Sequence, residues 1–460
     1  MYFPKTNRSA YLNFLHSKYE MMTGEVLVKS YPYYMGIDPT SICQLRCPSC
    51  PTGVENESRR TGEKLSLRTR TMIAGDLLSS LLDEVGEYLY FIMFYNWGEP
   101  LLNRELPAYI RRAKDYKICT EIHTNLSLRL ADDFLEDLLT SGLDVLAASV
   151  DGFTQETYQT YRQGGNLKLV RTNIERLVAL RERLGLKTEI IWNFLVFSFN
   201  EHEIEVTQRY CQDIGITFHR REAFITNPDW LPSYRKNEAE LLIHPPKNPT
   251  YDLGPSQTQP KGQPSPCAWH YSYSFINADG SVSPCCLPWE QKYDFGIIQP
   301  GLVGFADVWN NNLFRKSRGV FANKEVRGLE KVETICTRCP YGPNIQNLYS
   351  HMDVEVINQF HRIFDGKDPL LEQGFSLLQE RERFIGFYEC NRHLIDSGMQ
   401  AAPGLLAIPV QADGEADSHL YRCYLDVKNR MRPYSARLSK KLPRLYRWGK
   451  AIETKFLDKY

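Results

Sequence analysis

The sequence predicts an α/β fold: a partial (β/α)6 TIM-like barrel, then a small cysteine-rich domain and a helical C-terminal extension. Three observations carry that expectation. Continuously apolar runs of strand length alternate with segments of helical period between residues 33 and 223. Glycines and polar residues recur just after those runs, the end at which barrels of this kind collect their chemistry. Cysteines gather in two sets, one after the first strand and one beyond a proline-rich break.

The elements follow in order. Residues 1–30 form a helical lead-in, with Tyr11, Phe14, Leu15 and Tyr19 at helical spacing. Strands are expected at 33–37, 89–95, 118–123, 145–150, 188–196 and 216–223, and helices at 71–85, 104–116, 129–140, 154–184 and 201–214. Buried apolar strands separated by helices indicate a parallel sheet, so the barrel spans 31–226. Residues 227–266 hold Pro232, Pro245, Pro246, Pro249, Pro255, Pro260 and Pro264, a composition that suits a linker, a surface loop or a lid. The cysteine-rich domain is expected at 267–345 and the helical, basic extension at 346–460.

Cys43, Cys47 and Cys50 have the spacing C-x3-C-x2-C in the loop after the first strand. A [4Fe-4S] cluster normally takes four thiolates, so three leave one iron open to another ligand. Zinc would need a fourth ligand close by, and the next cysteine is Cys119. Asn96-Trp-Gly-Glu-Pro follows the second strand; Gly98 lets a backbone approach closely, and Glu99 accepts from an ammonium group. Asn125 follows the third strand. Ser149 and Asp151 end the fourth, where they can meet ribose or carboxylate oxygens. Arg162 offers a carboxylate a bidentate clamp, while Asn193 and Asn200 flank the end of the fifth strand. Singly these residues read as turns and caps; together, at successive strand ends, they read as a site.

In the second set, the Asn277-Ala-Asp-Gly280 turn predicts a hairpin that brings Cys267 near Cys285. With Cys336 and Cys339 they complete a four-thiolate site, suited to zinc or to [4Fe-4S]. Cys286 reads as an alternative ligand, a substrate-facing acid or a bystander. Cys119 and Cys211 read as core thiols, and Cys390 and Cys423 as structural or as ligands of a further cluster.

The first loop, with the motifs at later strand ends, resembles the radical S-adenosylmethionine (SAM) enzymes. That resemblance implies that the open iron chelates SAM, that Gly98 and Glu99 meet its amino group, and that SAM is cleaved to a 5'-deoxyadenosyl radical. Ser49 stands where many such loops carry an aromatic before the last cysteine. Cys-x12-Gly-x4-Cys, Phe295-Gly, Asp307-Val-Trp-Asn and the final C-x2-C resemble the SPASM and twitch auxiliary-cluster module. Residues 341–352 hold no cysteine, which matches the shorter, one-cluster form. The resemblance implies net oxidation of a small molecule, with peptide maturation as the alternative, and a reductase, flavodoxin or ferredoxin as electron donor. A non-catalytic iron-sulfur or zinc protein would keep the cysteines without needing the strand-end motifs.

Lysine plus arginine balance aspartate plus glutamate at 55 each, so no global charge draws the chain to nucleic acid. Twelve cysteines without an evident signal peptide or membrane span indicate a reducing, cytoplasmic setting. The basic stretch 428–455 reads as a solvated helix face, or as a contact for an anionic membrane or a phosphorylated substrate.

Overall fold

A computed structural model describes residues 5–223, 225, 227–234, 266–339, 351–364 and 366–399. Most of the expected linker, Cys423 and the basic stretch lie outside these residues. Helix α1 (Arg8–Thr23) precedes β1 (Tyr34–Ile37) and α2 (Pro51–Thr61). Alternation then runs through α3 (Gly75–Val85), β2 (Phe91–Met93), α4 (Leu106–Asp115), β3 (Cys119–Thr124), α5 (Asp132–Thr140) and β4 (Val145–Ser149). Helices α6 (Gln155–Tyr161) and α7 (Leu167–Arg183) lead to β5 (Glu189–Val196), and α8 (Ile204–Asp213) to β6 (Thr217–Glu222).

Strands β1 to β6 lie side by side in chain order, each parallel to the next. Burial explains the pattern. In α3, Leu77, Leu78, Leu81, Leu82 and Val85 turn one face into the same core as Ile92, Ile122 and Leu146. Two elements differ from expectation. Helix α2 was not expected, because its residues are mostly polar; Pro51 starts it directly after Cys50. The stretch 154–184 is two helices, broken at Gly164, whose φ of +85° suits glycine.

The cysteine-rich region continues the barrel's sheet. Strands β7 (Tyr273–Ile276), β8 (Ser281–Ser283) and β9 (Gly296–Ile297) form the antiparallel end of one nine-stranded sheet. β7 pairs in parallel with β1, Tyr273 opposite Tyr34. The hairpin turns at Gly280, at φ +85°. Helices α9 (Phe305–Trp309) and α10 (Asn312–Ala322) pack behind it.

Helices α11 (His351–Phe364), α12 (Pro369–Leu377) and α13 (Arg381–Gly398) enclose α1. Tyr11, Phe14, Leu15, Phe360, Phe375, Phe384 and Tyr388 form this second core. Inside it Lys18 Nζ lies 2.7 Å from Asp353 Oδ2, and Tyr33 Oη donates to Asp353 Oδ1 at 2.6 Å. Among the described residues, no helix is long and apolar enough to cross a membrane.

Candidate functional site

The loop after β1 is held by α2 and by the segment beyond β4. Asn56 of α2 donates to the carbonyls of Cys43 and Leu45 at 2.9 and 2.7 Å. Arg46 N donates to Gln163 O at 3.0 Å, tying the loop to the segment beyond β4. A Cβ on Gly53 would lie 2.3 Å from Cys47 O, so α2 packs directly on the loop. Each thiol faces N–H groups. Leu45 N and Asn125 Nδ2 reach Cys43 Sγ at 3.5 and 3.7 Å, Arg162 Nη1 reaches Cys47 Sγ at 4.0 Å, and the Gly53 and Thr52 amides meet Cys50. Burial pushes the Cys47 thiol up to about 12 and raises Cys43 and Cys50 too. Thiols held this high stay protonated near neutral pH unless a metal's charge ionises them. Buried thiols ringed by N–H donors fit cluster ligands.

The strand-end residues divide into two groups. Glu99 is buried and already accepts from Thr124 Oγ1 at 2.5 Å, Asn125 N at 2.7 Å and Leu101 N at 3.1 Å. Burial still raises its carboxyl to about 7. Gly98 serves the chain's own backbone: a Cβ there would lie 1.7 Å from Thr40 O, at the stem of the cysteine loop. Asp38, unflagged in the sequence, is buried beneath this turn, accepts from Gly98 N at 3.4 Å, and is raised to about 7 by burial. Asp151 accepts from Leu195 N at 2.8 Å and from Arg162 Nε at 2.6 Å, so it fixes the arginine. Asn200 ties the turn after β5 through Asp151 O, Leu195 O and Phe197 N.

Ser149, Arg162 and Asn193 instead line a cavity of about 530 Å³ inside the sheet, with Tyr34, Phe91, Tyr95, Glu121, His123 and Arg221. Glu121 Oε1 and His123 Nε2 are in hydrogen-bond contact there, and His123 stacks on Tyr95, centroids 3.9 Å apart. Both residues lie within β3 and belong to no strand-end motif. Their signal was the polar alternation along β3, which sets both side chains on one face. Among the described residues, Asn96 Nδ2, Trp97 Nε1 and Asn193 Oδ1 are buried without a hydrogen-bond partner. Of these three residues, Asn193 lines the cavity, where its Oδ1 is open to a ligand's donor.

The second cysteine set converges. Cys336 and Cys339 both raise the Cys267 thiol, after burial, and Cys286, Cys336 and Cys267 act in that order on Cys285. Burial pushes Cys336 up to about 12. Amides of Trp269 and His270 meet Cys267, and that of Leu287 meets Cys285. Cys286, beside Cys285, packs against the cluster of Phe91, Met93, Cys119 and Phe275, with its thiol pushed up to about 11 by burial. Cys119 and Cys211 are buried in β3 and α8. Among the described residues, no group of three or more His, Cys, Asp or Glu side chains is gathered to hold a single metal ion.

Family comparisons agree with this arrangement. The radical SAM superfamily model matches residues 37–210, and the SPASM iron-sulfur cluster-binding domain matches 267–340. A probable GTP 3',8-cyclase of Methanococcus maripaludis is 27% identical over 183 residues, 38% of this chain and 54% of that protein. The PqqA peptide cyclase of Granulibacter bethesdensis is 26% identical over 178 residues, 39% of this chain and 43% of that protein. The chain thus spans about half the length of the curated relatives it matches. The structure of Streptococcus suis SuiB bound to S-adenosylmethionine aligns at 15% identity and a TM-score of 0.44, over 69% of this chain and 73% of that one. The chain belongs to the radical SAM superfamily and carries a SPASM domain, so its cofactors are a [4Fe-4S] cluster, SAM and an auxiliary iron-sulfur cluster.

Proposed function

We propose that this enzyme uses SAM-derived radical chemistry to oxidise a small polar molecule held in the cavity beside the cysteine loop. In this reading Cys43, Cys47 and Cys50 hold the first [4Fe-4S] cluster, and Cys267, Cys285, Cys336 and Cys339 hold the auxiliary one. Glu99, Asn125, Ser149 and Arg162 meet SAM, while Gly98 holds the stem of the cysteine loop and Asp151 holds Arg162 in place. When bound, the cofactors supply reductive cleavage of SAM to a 5'-deoxyadenosyl radical, hydrogen-atom abstraction from substrate, and a sink for the substrate's electron.

The observation that carries the reading is Arg162, which reaches Cys47 and also lines the cavity. Its Nε is fixed by Asp151, which leaves other N–H groups for a carboxylate. Glu99 can accept an ammonium in addition to its present donors. Tyr34 and Phe91 wall the cavity and exclude water. The His123–Glu121 pair can take the proton of a substrate hydroxyl as that carbon becomes a carbonyl, and Arg221 can hold an anionic substituent. A reductase, flavodoxin or ferredoxin supplies the electron in a reducing cytoplasm.

Peptide maturation is the second reading, favoured by the likeness to the PqqA peptide cyclase. One experiment separates them. The reconstituted enzyme, with SAM and reductant, is offered a small-molecule extract and a peptide fraction. Small-molecule oxidation predicts faster 5'-deoxyadenosine formation and a product lighter by a pair of hydrogens in the extract alone. Stimulation by the peptide fraction alone would reverse the order of the readings.

A further inference from the structure

The auxiliary site contains a histidine that no cluster ligand set requires. His270 is buried three residues after Cys267, and its Nε2 lies 3.5 Å from Cys336 Sγ. The ring is held by Phe314 and Phe321, at 6.1 and 5.5 Å between centroids. Its backbone is fixed too: N donates to Cys267 O at 3.0 Å, and O accepts from Arg318 Nε at 2.9 Å. Ser317 and Thr334, both buried, lie beside Cys336, and Ser317 Oγ donates to Thr334 Oγ1 at 3.0 Å.

The position of the ring proton follows from its neighbours. Nδ1 has no hydrogen-bond partner among the described residues. A neutral imidazole has one N–H to place. On Nδ1 it would be a buried donor without a partner, and the Nε2 lone pair would oppose the electron-rich sulfur. On Nε2 it points at the sulfur. A donor on a ligand sulfur stabilises the more negative, reduced cluster, and such hydrogen bonds are among the groups that set cluster potentials.

We propose that His270 is a tuning residue: its Nε2–H donates to the Cys336 thiolate and raises the reduction potential of the auxiliary cluster. The inference rests on the reading of that cluster as the electron acceptor for substrate oxidation. A cluster that is easier to reduce takes the substrate's electron more readily. The cage of Phe314, Phe321 and Arg318 exists, on this view, to keep one donor aimed at one sulfur.

The test uses the full-length, anaerobically reconstituted protein, with SAM added to shift the first cluster's EPR signal away from the auxiliary one. Midpoint potentials are read by EPR-monitored titration for wild type, His270→Phe and His270→Gln. The expected result is a more negative midpoint in His270→Phe, with His270→Gln, which keeps a donor, between the two. Coincident midpoints, or a more positive one in His270→Phe, would overturn the proposal. If His270→Phe does not load iron, wild type labelled with [15N]histidine decides. Pulsed EPR of its reduced auxiliary cluster should show a weak 15N coupling that His270→Gln lacks, and its absence in wild type sinks the idea. SAM cleavage by wild type, assayed alongside, tells failure of this inference from failure of the enzyme reading.

Discussion

Glu99 and Asp38 sit under the cysteine loop, both buried and both raised to about 7. A carboxyl whose folded value lies above its unfolded value favours folding at low pH, and that advantage fades as pH rises through the folded value. The metal-free protein should therefore lose stability between about pH 4.5 and 7. Glu99→Gln and Asp38→Asn should each flatten the slope, read as urea midpoints at pH 5 and pH 7; an unchanged slope would contradict the account. Gly98→Ala places a Cβ against Thr40 O and must move the loop's stem. Iron after reconstitution should fall from about eight to about four per chain, with the auxiliary cluster's EPR signal kept. Arg162→Lys loses the Nε bond to Asp151 and the planar fork. SAM binding to the reconstituted protein, measured by equilibrium dialysis, should weaken by about tenfold to a hundredfold. The residue types at the strand ends were legible in the sequence, but their partners were not. Asp151 reads as a ligand contact until Arg162, eleven positions on, is found against it.

At the scale of elements, β1, β2, β4 and β5 were legible because they are largely apolar on both faces, whereas β3 and β6 carry polar side chains and were legible from their place in the alternation with helices. Helix α2 was not, because it is anchored by the loop it covers: Asn56 binds loop carbonyls and Gly53 packs on Cys47. The break in the long helical stretch before β5 had its signal in Gly164-Gly165, and the helical period on both sides of that pair masked it. Helix α1 was read as a lead-in, yet its periodicity is blurred because almost all of it is buried. That burial makes the Lys18–Asp353 pair testable. Removing one partner strands a charge, and Lys18→Met should destabilise the fold by about 3–5 kcal/mol in chemical denaturation. A loss below about 1 kcal/mol would mean that α1 and α11 are held by their aromatic rings alone.

Across the whole molecule, the pairing of β7 with β1 organises both cysteine sets on one sheet. Cys43 follows the C-terminal end of β1, while Cys267 precedes β7 and Cys285 follows the antiparallel β8. The sets therefore lie toward opposite ends of the same strands. Tyr34, from β1, lines the cavity. Sequence spacing showed two thiolate sets but not that one sheet joins them, since strand adjacency between residues 34 and 273 depends on the fold and not on any local pattern.

The most direct test of the account is SAM cleavage. Protein reconstituted anaerobically and reduced with dithionite should convert SAM to 5'-deoxyadenosine and methionine in equal amounts. Cys43→Ala, Cys47→Ala and Cys50→Ala should each abolish this while the auxiliary cluster's EPR signal persists. Wild type with both clusters loaded that yields no 5'-deoxyadenosine, and whose EPR spectrum SAM leaves unchanged, would contradict it.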